Sequence, residues 1–391
     1  MSGLNITICG CGNGAHACAA IMSLKGHSVN IYSPLKEEIR IFEKNYQKNG
    51  GLDAQIVEER VKGLKLNRIS DDPSQTISGA AIIFVIAPAF AHKTIFRHIR
   101  NFIEPEALVA ILPSRGLIEL ELKEFIPKVQ VMAFQTLPWS CRMENPGSEV
   151  TVKGIKKKVQ IASNPADLSP VFFHMMEELL DMRVEHLKSM LTLTLANMGQ
   201  IFHPGIMYGL FKEDPCRIFS LNECPFFYQG VSAEGAEILS GMAGEIHRIG
   251  EAMLAYVPDL ELECVLTPEQ WLIDSYSDVI ADKTSLQTML NTNHAYQGIR
   301  VPIIKVGENR YQADFHARYV VEDIPYSLLV SRSLGKMLCV ETPVMDQVIT
   351  KLGSWVGYPY LKQCREAEEF SKQSRLPVFY GMETILDVVN F

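Results

Sequence analysis

Leu4-Asn5-Ile6-Thr7-Ile8-Cys9 runs directly into Gly10-Cys11-Gly12-Asn13-Gly14-Ala15, and what these residues require decides the fold. The first six form an apolar, β-branched run of strand length. Gly10 permits a tight turn, Gly12 lets backbone approach a pyrophosphate with no Cβ in the way, and Ala15 keeps the following helix close to the strand. A helix continuing through Leu24 offers its free N–H groups and positive dipole end to phosphates. Gly10, Gly12, Asn13, Gly14 and Ala15 are therefore candidate dinucleotide-binding residues. A glycine turn that binds nothing is the plainer alternative.

Working outward, Ser28–Tyr32, Ala81–Ile86, Leu108–Leu112 and Val129–Phe134 are further apolar runs, alternating with amphipathic stretches such as Leu35–Lys48 and Lys93–Phe102. That alternation is the pattern of an α/β Rossmann domain, a doubly wound, mostly parallel sheet. Residues 50–69 read as an inserted hairpin either side of Lys62-Gly63, and Lys156-Lys157-Lys158 as a solvated lead-in to a last strand, Val159–Ala162. Beyond about residue 185 the strand rhythm stops. Leu187–Phe202, Glu234–Tyr256, Pro268–Asn293, Pro343–Val356 and Tyr360–Gln373 carry helical periodicity, so an all-α domain is expected to follow. The expected division is 1–190 for nucleotide binding and 191–391 for substrate binding and catalysis.

The composition fits two cores. The 391 residues are 47% hydrophobic and 21% charged, and single cores rarely exceed roughly 250–300 residues. With 37 Lys and Arg against 45 Asp and Glu, the net charge of −8 lacks the basic field that nucleic-acid binding needs. The charge is uneven: 22 basic and 20 acidic residues in 1–190 give +2, and 15 and 25 in 191–391 give −10. The first Lys or Arg is Lys25, so no secretory signal is expected. The apolar run Ala80–Ala91 is too short for a membrane span of ~20 residues and is broken by Pro88. A cytoplasmic location is the expectation. The nine scattered Cys fit neither a disulfide framework nor a paired zinc signature, and no metal is expected.

The acidic residue that usually ends the second strand and holds the adenosine ribose is missing, because the strand closes Ile31-Tyr32-Ser33-Pro34. Ser33 could bond the ribose or make room for a 2′-phosphate, with Lys36 and Arg40 near enough in sequence to attract one. Ala87 and Pro88, following the third main strand, fall where the fold places nicotinamide contacts; an ordinary βα turn explains them equally well. In the second half, His203 precedes Pro204 at the end of an apolar helix, where a break would present the imidazole. His suits acid–base work near neutral pH. Arg318 and Asp323 stand five apart before Pro325: an Arg can grip a carboxylate through two parallel hydrogen bonds, and an Asp can hold an imidazolium. In isolation, a structural His and a surface ion pair explain these three as well.

Several longer segments carry a resemblance. Gly10 to His16, Pro88-Ala89-Phe90-Ala91-His92, Gln135-Thr136-Leu137-Pro138-Trp139-Ser140-Cys141-Arg142, Phe202-His203-Pro204, Phe226 to Gly230, Thr292 to Gly298 and Arg318 to Tyr326 are similar to the invertebrate opine dehydrogenases of the octopine and tauropine type, nearly end to end. The resemblance implies substrates taken in a cleft between a Rossmann and a helical domain, with NAD as the favoured cofactor. The implied reaction condenses pyruvate with an amino acid to an imine, which NADH reduces to an opine, reversibly, regenerating NAD in anaerobic glycolysis. It implies acid–base work for His203, an orienting part for Asp323, a substrate-carboxylate contact for Arg318, and substrate contacts at Gln135, Thr136 and Cys141. It also implies a monomer. Octopine-forming members carry a Gln-like side chain at the position of Arg115. Arg115 is therefore expected at the substrate, repelling a guanidinium and favouring taurine, alanine or glycine over arginine. The plainer reading has Arg115 facing solvent or the cofactor phosphates. A ketopantoate- or glycerol-3-phosphate-type reductase would put a Lys in the place of His203, and a non-catalytic nucleotide sensor would not keep His203, Arg318 and Asp323 together.

Overall fold

In the computed structural model, residues 3–361 and 374–391 are described. The chain divides into two compact units, one holding the residues up to Ser114 and Ile118–Met190, the other Arg115–Leu117 and the residues from Leu191 onward.

The first unit is built on an eight-stranded sheet. Strands β1 (Asn5–Cys9), β2 (Ser28–Tyr32), β3 (Leu52–Ile56), β4 (Glu59–Leu64), β5 (Arg68–Ser70), β6 (Ile82–Val85), β7 (Leu108–Ile111), β8 (Gln130–Phe134), β9 (Trp139–Asn145), β10 (Glu149–Ile155), β11 (Lys158–Asn164) and β12 (Arg183–Leu187) all belong to this unit. The main sheet runs β12-β11-β8-β7-β6-β1-β2-β5, parallel except where β11 meets β8. Its central strands are buried on both faces, which is why Ile82–Val85 and Leu108–Ile111 read as continuous apolar runs and not as alternation. Helices α1 (Asn13–Leu24), α2 (Lys36–Asn49), α3 (Pro73–Thr76), α4 (Ala89–Ile99), α5 (Glu119–Phe125) and α6 (Pro170–Leu180) complete the unit.

The structure differs from the sequence expectation at several points. The inserted hairpin exists, but it turns at Val57-Glu58, with Val57 at φ +53°, and Lys62-Gly63 lies inside β4. It is part of a second sheet, β4-β3-β10-β9, whose β9 and β10 the sequence did not suggest. The strand after the lysine run is not the last, since β12 pairs parallel with it. Lys156 is not solvated; it is buried and donates to the Leu137 carbonyl at 2.6 Å.

In the second unit, α7 (Met190–Leu195) gives way to α8 (Gly199–Phe211) and α9 (Ala233–Met253), followed by α10 (Pro268–Tyr276), α11 (Leu286–Asn291), α12 (Arg318–Val321), a wide π-turn at Ile324–Leu328, α13 (Leu329–Met337), α14 (Pro343–Trp355) and a short final helix, Ile385–Val389. The unit is helical but carries a hairpin, β13 (Ile303–Gly307) with β14 (Arg310–Ala313), so all-α is not strictly met. The single helix read over Pro268–Asn293 is two, separated by residues 277–285. Residues 362–373 of the helix read at Tyr360–Gln373 lie outside the described residues.

Pro204 does not break the helix. The interruption comes earlier, at residues 196–198, where side chains satisfy both ends. The Gln200 amide donates to the last carbonyls of α7, Thr194 and Leu195, at 3.2 Å each. Asn197 Oδ1 accepts from the Gly199 N–H at 3.1 Å and starts α8. Pro204 thus forfeits one backbone bond inside a helix already anchored, and His203 projects from that helix's second turn.

Candidate functional site

In the first unit the expected nucleotide residues gather at the carboxyl ends of neighbouring strands β2, β1 and β6. Gly10 follows β1 at φ +133°, and a Cβ there would come within 2.2 Å of the Ile86 carbonyl oxygen. This turn and this approach to the end of β6 need glycine. At Gly12, where α1 starts with no side-chain cap, a Cβ would meet nothing within 4 Å. The space above the turn is therefore open, beside first-turn N–H groups that no side chain caps, as a dinucleotide phosphate requires. Gly14 instead packs on Ile86 and Leu137, and Ala15 is fully buried. Asn13 Oδ1 accepts from the Met143 N–H at 3.0 Å, fixing the loop to β9. Ala87 and Pro88 lie half-buried where β6 passes into α4.

His16 belongs to this loop and had drawn no role. Its Nε2 accepts from the Gly147 N–H at 2.7 Å, which leaves Nδ1 as the donor to the Gly12 carbonyl at 2.9 Å. One buried neutral imidazole thereby ties the start of α1 to the β9–β10 turn. Burial pushes its pKa down from 6.5 to about 4, against the smaller upward pull of the Gly12 bond. The unfolded chain then binds the extra proton between those values, so the loop's stabilisation is complete above about pH 6.5 and drains as pH falls toward 4. The urea midpoint of the first unit is expected to drop between pH 7 and pH 5, and to drop less in His16→Gln.

Ser33 is buried and already committed. Its hydroxyl donates to Glu38 Oε2 at 2.8 Å and accepts from the Leu35 N–H at 3.2 Å. Arg40 likewise spends its guanidinium on Glu37, at 2.8 and 2.6 Å. Gln135 is buried just past β8, its N–H donating to the Gln160 carbonyl at 3.0 Å, and Thr136 follows it half-buried. Cys141 stands in β9, half-buried against the first unit's core near Cys18 of α1.

In the second unit, α8 and the α12–π-turn segment bring His203 and Asp323 together. His203 Nδ1 and Asp323 Oδ2 are 2.7 Å apart, with the imidazole 15% and the carboxylate 0% exposed. The ring stacks on Tyr319, centroids 4.3 Å apart at 23°. Arg318, exposed, lies 6.0 Å from the same Tyr319 ring. Tyr228 is half-buried nearby, and desolvation of its hydroxyl, reinforced by Tyr319, holds that group well above the ordinary range.

Arg115 departs furthest from expectation. It does not face solvent: it is 5% exposed, in a left-handed conformation at φ +65°. Its Nη1 lies 2.7 Å from Asp323 Oδ1, and its Nε donates to Glu322 Oε1 at 3.0 Å. Burial opposes the guanidinium's charge, but Asp323 and Glu322 outweigh it and hold the proton more firmly than usual. Glycine at 199 makes the room, since a Cβ there would come within 2.5 Å of Arg115 Nη1. The Gly116 N–H donates to the Tyr326 carbonyl at 2.8 Å and the Leu117 N–H to Thr194 Oγ1 at 2.9 Å. The carboxylate that holds His203 is thus itself held by the Arg115 guanidinium.

The chain is similar to known proteins. Residues 186–354 match the model of the NAD/NADP octopine/nopaline dehydrogenase α-helical domain. An opine dehydrogenase of Haliotis discus hannai is 28% identical over 99% of this chain and 98% of its own length. The tauropine dehydrogenase of Arabella iricolor is 27% identical, covering 97% and 98%. The solved structure of octopine dehydrogenase with NADH and agmatine superimposes with a TM-score of 0.81 at 25% identity, covering 99% of this chain and 97% of that one. Along nearly its whole length the chain is similar to opine dehydrogenases, and its helical part matches their α-helical domain. It is an NAD-dependent oxidoreductase acting on the CH–NH group of a secondary amine, with a Rossmann sheet and a helical C-terminal part. Among the described residues no helix is long and apolar enough to cross a membrane, and no group of three or more His, Cys, Asp and Glu could hold a metal.

Proposed function

We propose that the enzyme condenses pyruvate with an amino acid and reduces the product to an N-(1-carboxyethyl) amino acid, with His203 as acid–base residue, Asp323 as its orienting partner and Arg318 as the ligand of a substrate carboxylate. The observation that carries this reading is the 2.7 Å contact between His203 Nδ1 and a fully buried Asp323. It fixes the tautomer and leaves Nε2 as the imidazole's working atom. Bound NADH supplies the hydride. In the forward direction a proton from Nε2 goes to the hydroxyl leaving the carbinolamine, which departs as water. In the reverse direction Nε2 takes a proton from the secondary amine or from the attacking water. The exposed guanidinium of Arg318 has the two parallel donors that a carboxylate needs. Gln135, Thr136 and Cys141 remain substrate contacts in this reading, and Gly10, Gly12, Asn13, Ala87 and Pro88 cofactor contacts, with Gly14 and Ala15 shaping the loop from its buried side.

For the amino acid we favour taurine, alanine or glycine over arginine, on ground different from direct repulsion by Arg115. A substrate guanidinium would look for buried carboxylates, and Glu322 and Asp323 already serve the chain's own guanidinium. A cytoplasmic, monomeric enzyme regenerating NAD completes the proposal. NADH consumption by purified protein with pyruvate and a panel of amino acids tests it, and the fastest rate is expected with a small amino acid. Fastest consumption with arginine overturns the substrate preference, and no pyruvate-dependent consumption with any of them overturns the activity.

A further inference from the structure

The second strand lacks its terminal acid, yet the chain returns a carboxylate to that place from the next helix. β2 pairs with β1 in the register Cys9↔Tyr32, and the Gly10 N–H donates to the Tyr32 carbonyl at 2.8 Å, so Ser33 lies beside the glycine turn. Helix α2 begins three residues later, and its first turn carries Glu38, whose Oε2 accepts from the buried Ser33 hydroxyl at 2.8 Å. The carboxylate also stands close to Cys11, the residue between Gly10 and Gly12. That thiol is pushed up to about 12, by burial first and by the Glu38 charge second. Glu38 is exposed, so the carboxylate is open to a ligand while Ser33 fixes its direction. Arg40, the cation that could have welcomed a 2′-phosphate, is turned away onto Glu37.

We propose that Glu38 is the ligand of the adenosine ribose hydroxyls, held in place by Ser33, and that it sets the preference for NADH over NADPH. A carboxylate accepts from vicinal hydroxyls and repels the charge of a 2′-phosphate. This does for the pocket what the strand-end acid does elsewhere, from six residues past the end of β2. The inference rests on this chain's use of a nicotinamide dinucleotide and not on the opine chemistry, so it stands or falls by binding alone.

The test is fluorescence titration of purified wild type and Glu38→Ala with NADH, NADPH and the 2′-deoxyadenosine analogue of NADH. Losing hydrogen bonds to a charged group predicts about a 10–100-fold weaker Kd for NADH in the variant. NADPH is expected to bind the variant as well as or better than wild type, and the analogue, discriminated against by wild type, to bind the variant as NADH does. Equal loss for NADH and NADPH would mean that Glu38 merely braces the loop, and an NADH Kd within twofold of wild type would place the ribose elsewhere; either overturns the proposal. Ser33→Ala gives a second route, with the same change in the NADH to NADPH ratio expected at smaller size.

Discussion

His203→Ala is expected to turn over about 10²–10⁴-fold more slowly than wild type while binding NADH with unchanged affinity. The size follows from the chemistry the imidazole performs, since general acid–base help from a placed side chain is worth about that much. Among the described residues of the second unit, no other imidazole is aligned by a buried carboxylate and so able to take over. Retained binding follows from the division of labour, since the Gly10–Ala15 turn and Glu38 belong to the first unit. Asp323→Asn sharpens the point. It keeps the shape but takes the charge from the Nδ1 partner, so a substantial loss of turnover is expected there too, with binding again unchanged. Steady-state rates in both directions, measured alongside NADH titrations, check the pair. Near-normal turnover in His203→Ala would remove it from the acid–base role, whereas loss of NADH binding would assign it a structural part.

What the sequence could and could not show has a physical pattern. β1, β2, β6, β7 and β8 were legible because central parallel strands must be apolar on both faces. The second sheet was not, because its order is set by pairing β10 with β3, Glu149 opposite Asp53, and local periodicity carries no trace of so distant a partner. β13 escaped for the opposite reason, being mostly exposed and showing no apolar face. His203, Arg318 and Asp323 could be singled out by residue type and by family resemblance, though the helix break that was to present the imidazole fell at residues 196–198 instead. His16 was within a recognised motif but needed Gly147 in place before it had a function. Glu38 is hidden because the motif carries its acid at a strand end, and this chain has one on a helix instead. Arg115 is the least legible: its charge suggests an effect on a ligand, while its partners, Glu322 and Asp323, lie more than two hundred residues away in sequence.

Those partners make Arg115→Met the substitution with the largest expected effect on stability. Met keeps much of the length and volume but leaves Glu322 and Asp323 buried, at 1% and 0% exposure, without their cation. Removing one member of a buried ion cluster costs about 3–5 kcal/mol, because the remaining charges must be neutralised or hydrated where there is no room for water. In a unit of this size that is a fall of roughly 10 °C or more in Tm. The outcome separates two roles for one guanidinium. A substrate-binding Arg would show its loss in KM, with stability nearly intact; an internal counter-ion shows it in the unfolding of the second unit, with NADH binding by the first unit preserved. The pairing makes a further demand: Glu322→Gln in the Arg115→Met background relieves one of the two stranded charges, so the double variant should regain part of the lost stability, although Glu322→Gln alone should cost some. Thermal unfolding of the four proteins, followed with and without NADH, reads this directly. Additive losses in the double variant would show that Arg115 and Glu322 act independently and that their 3.0 Å contact carries no coupling.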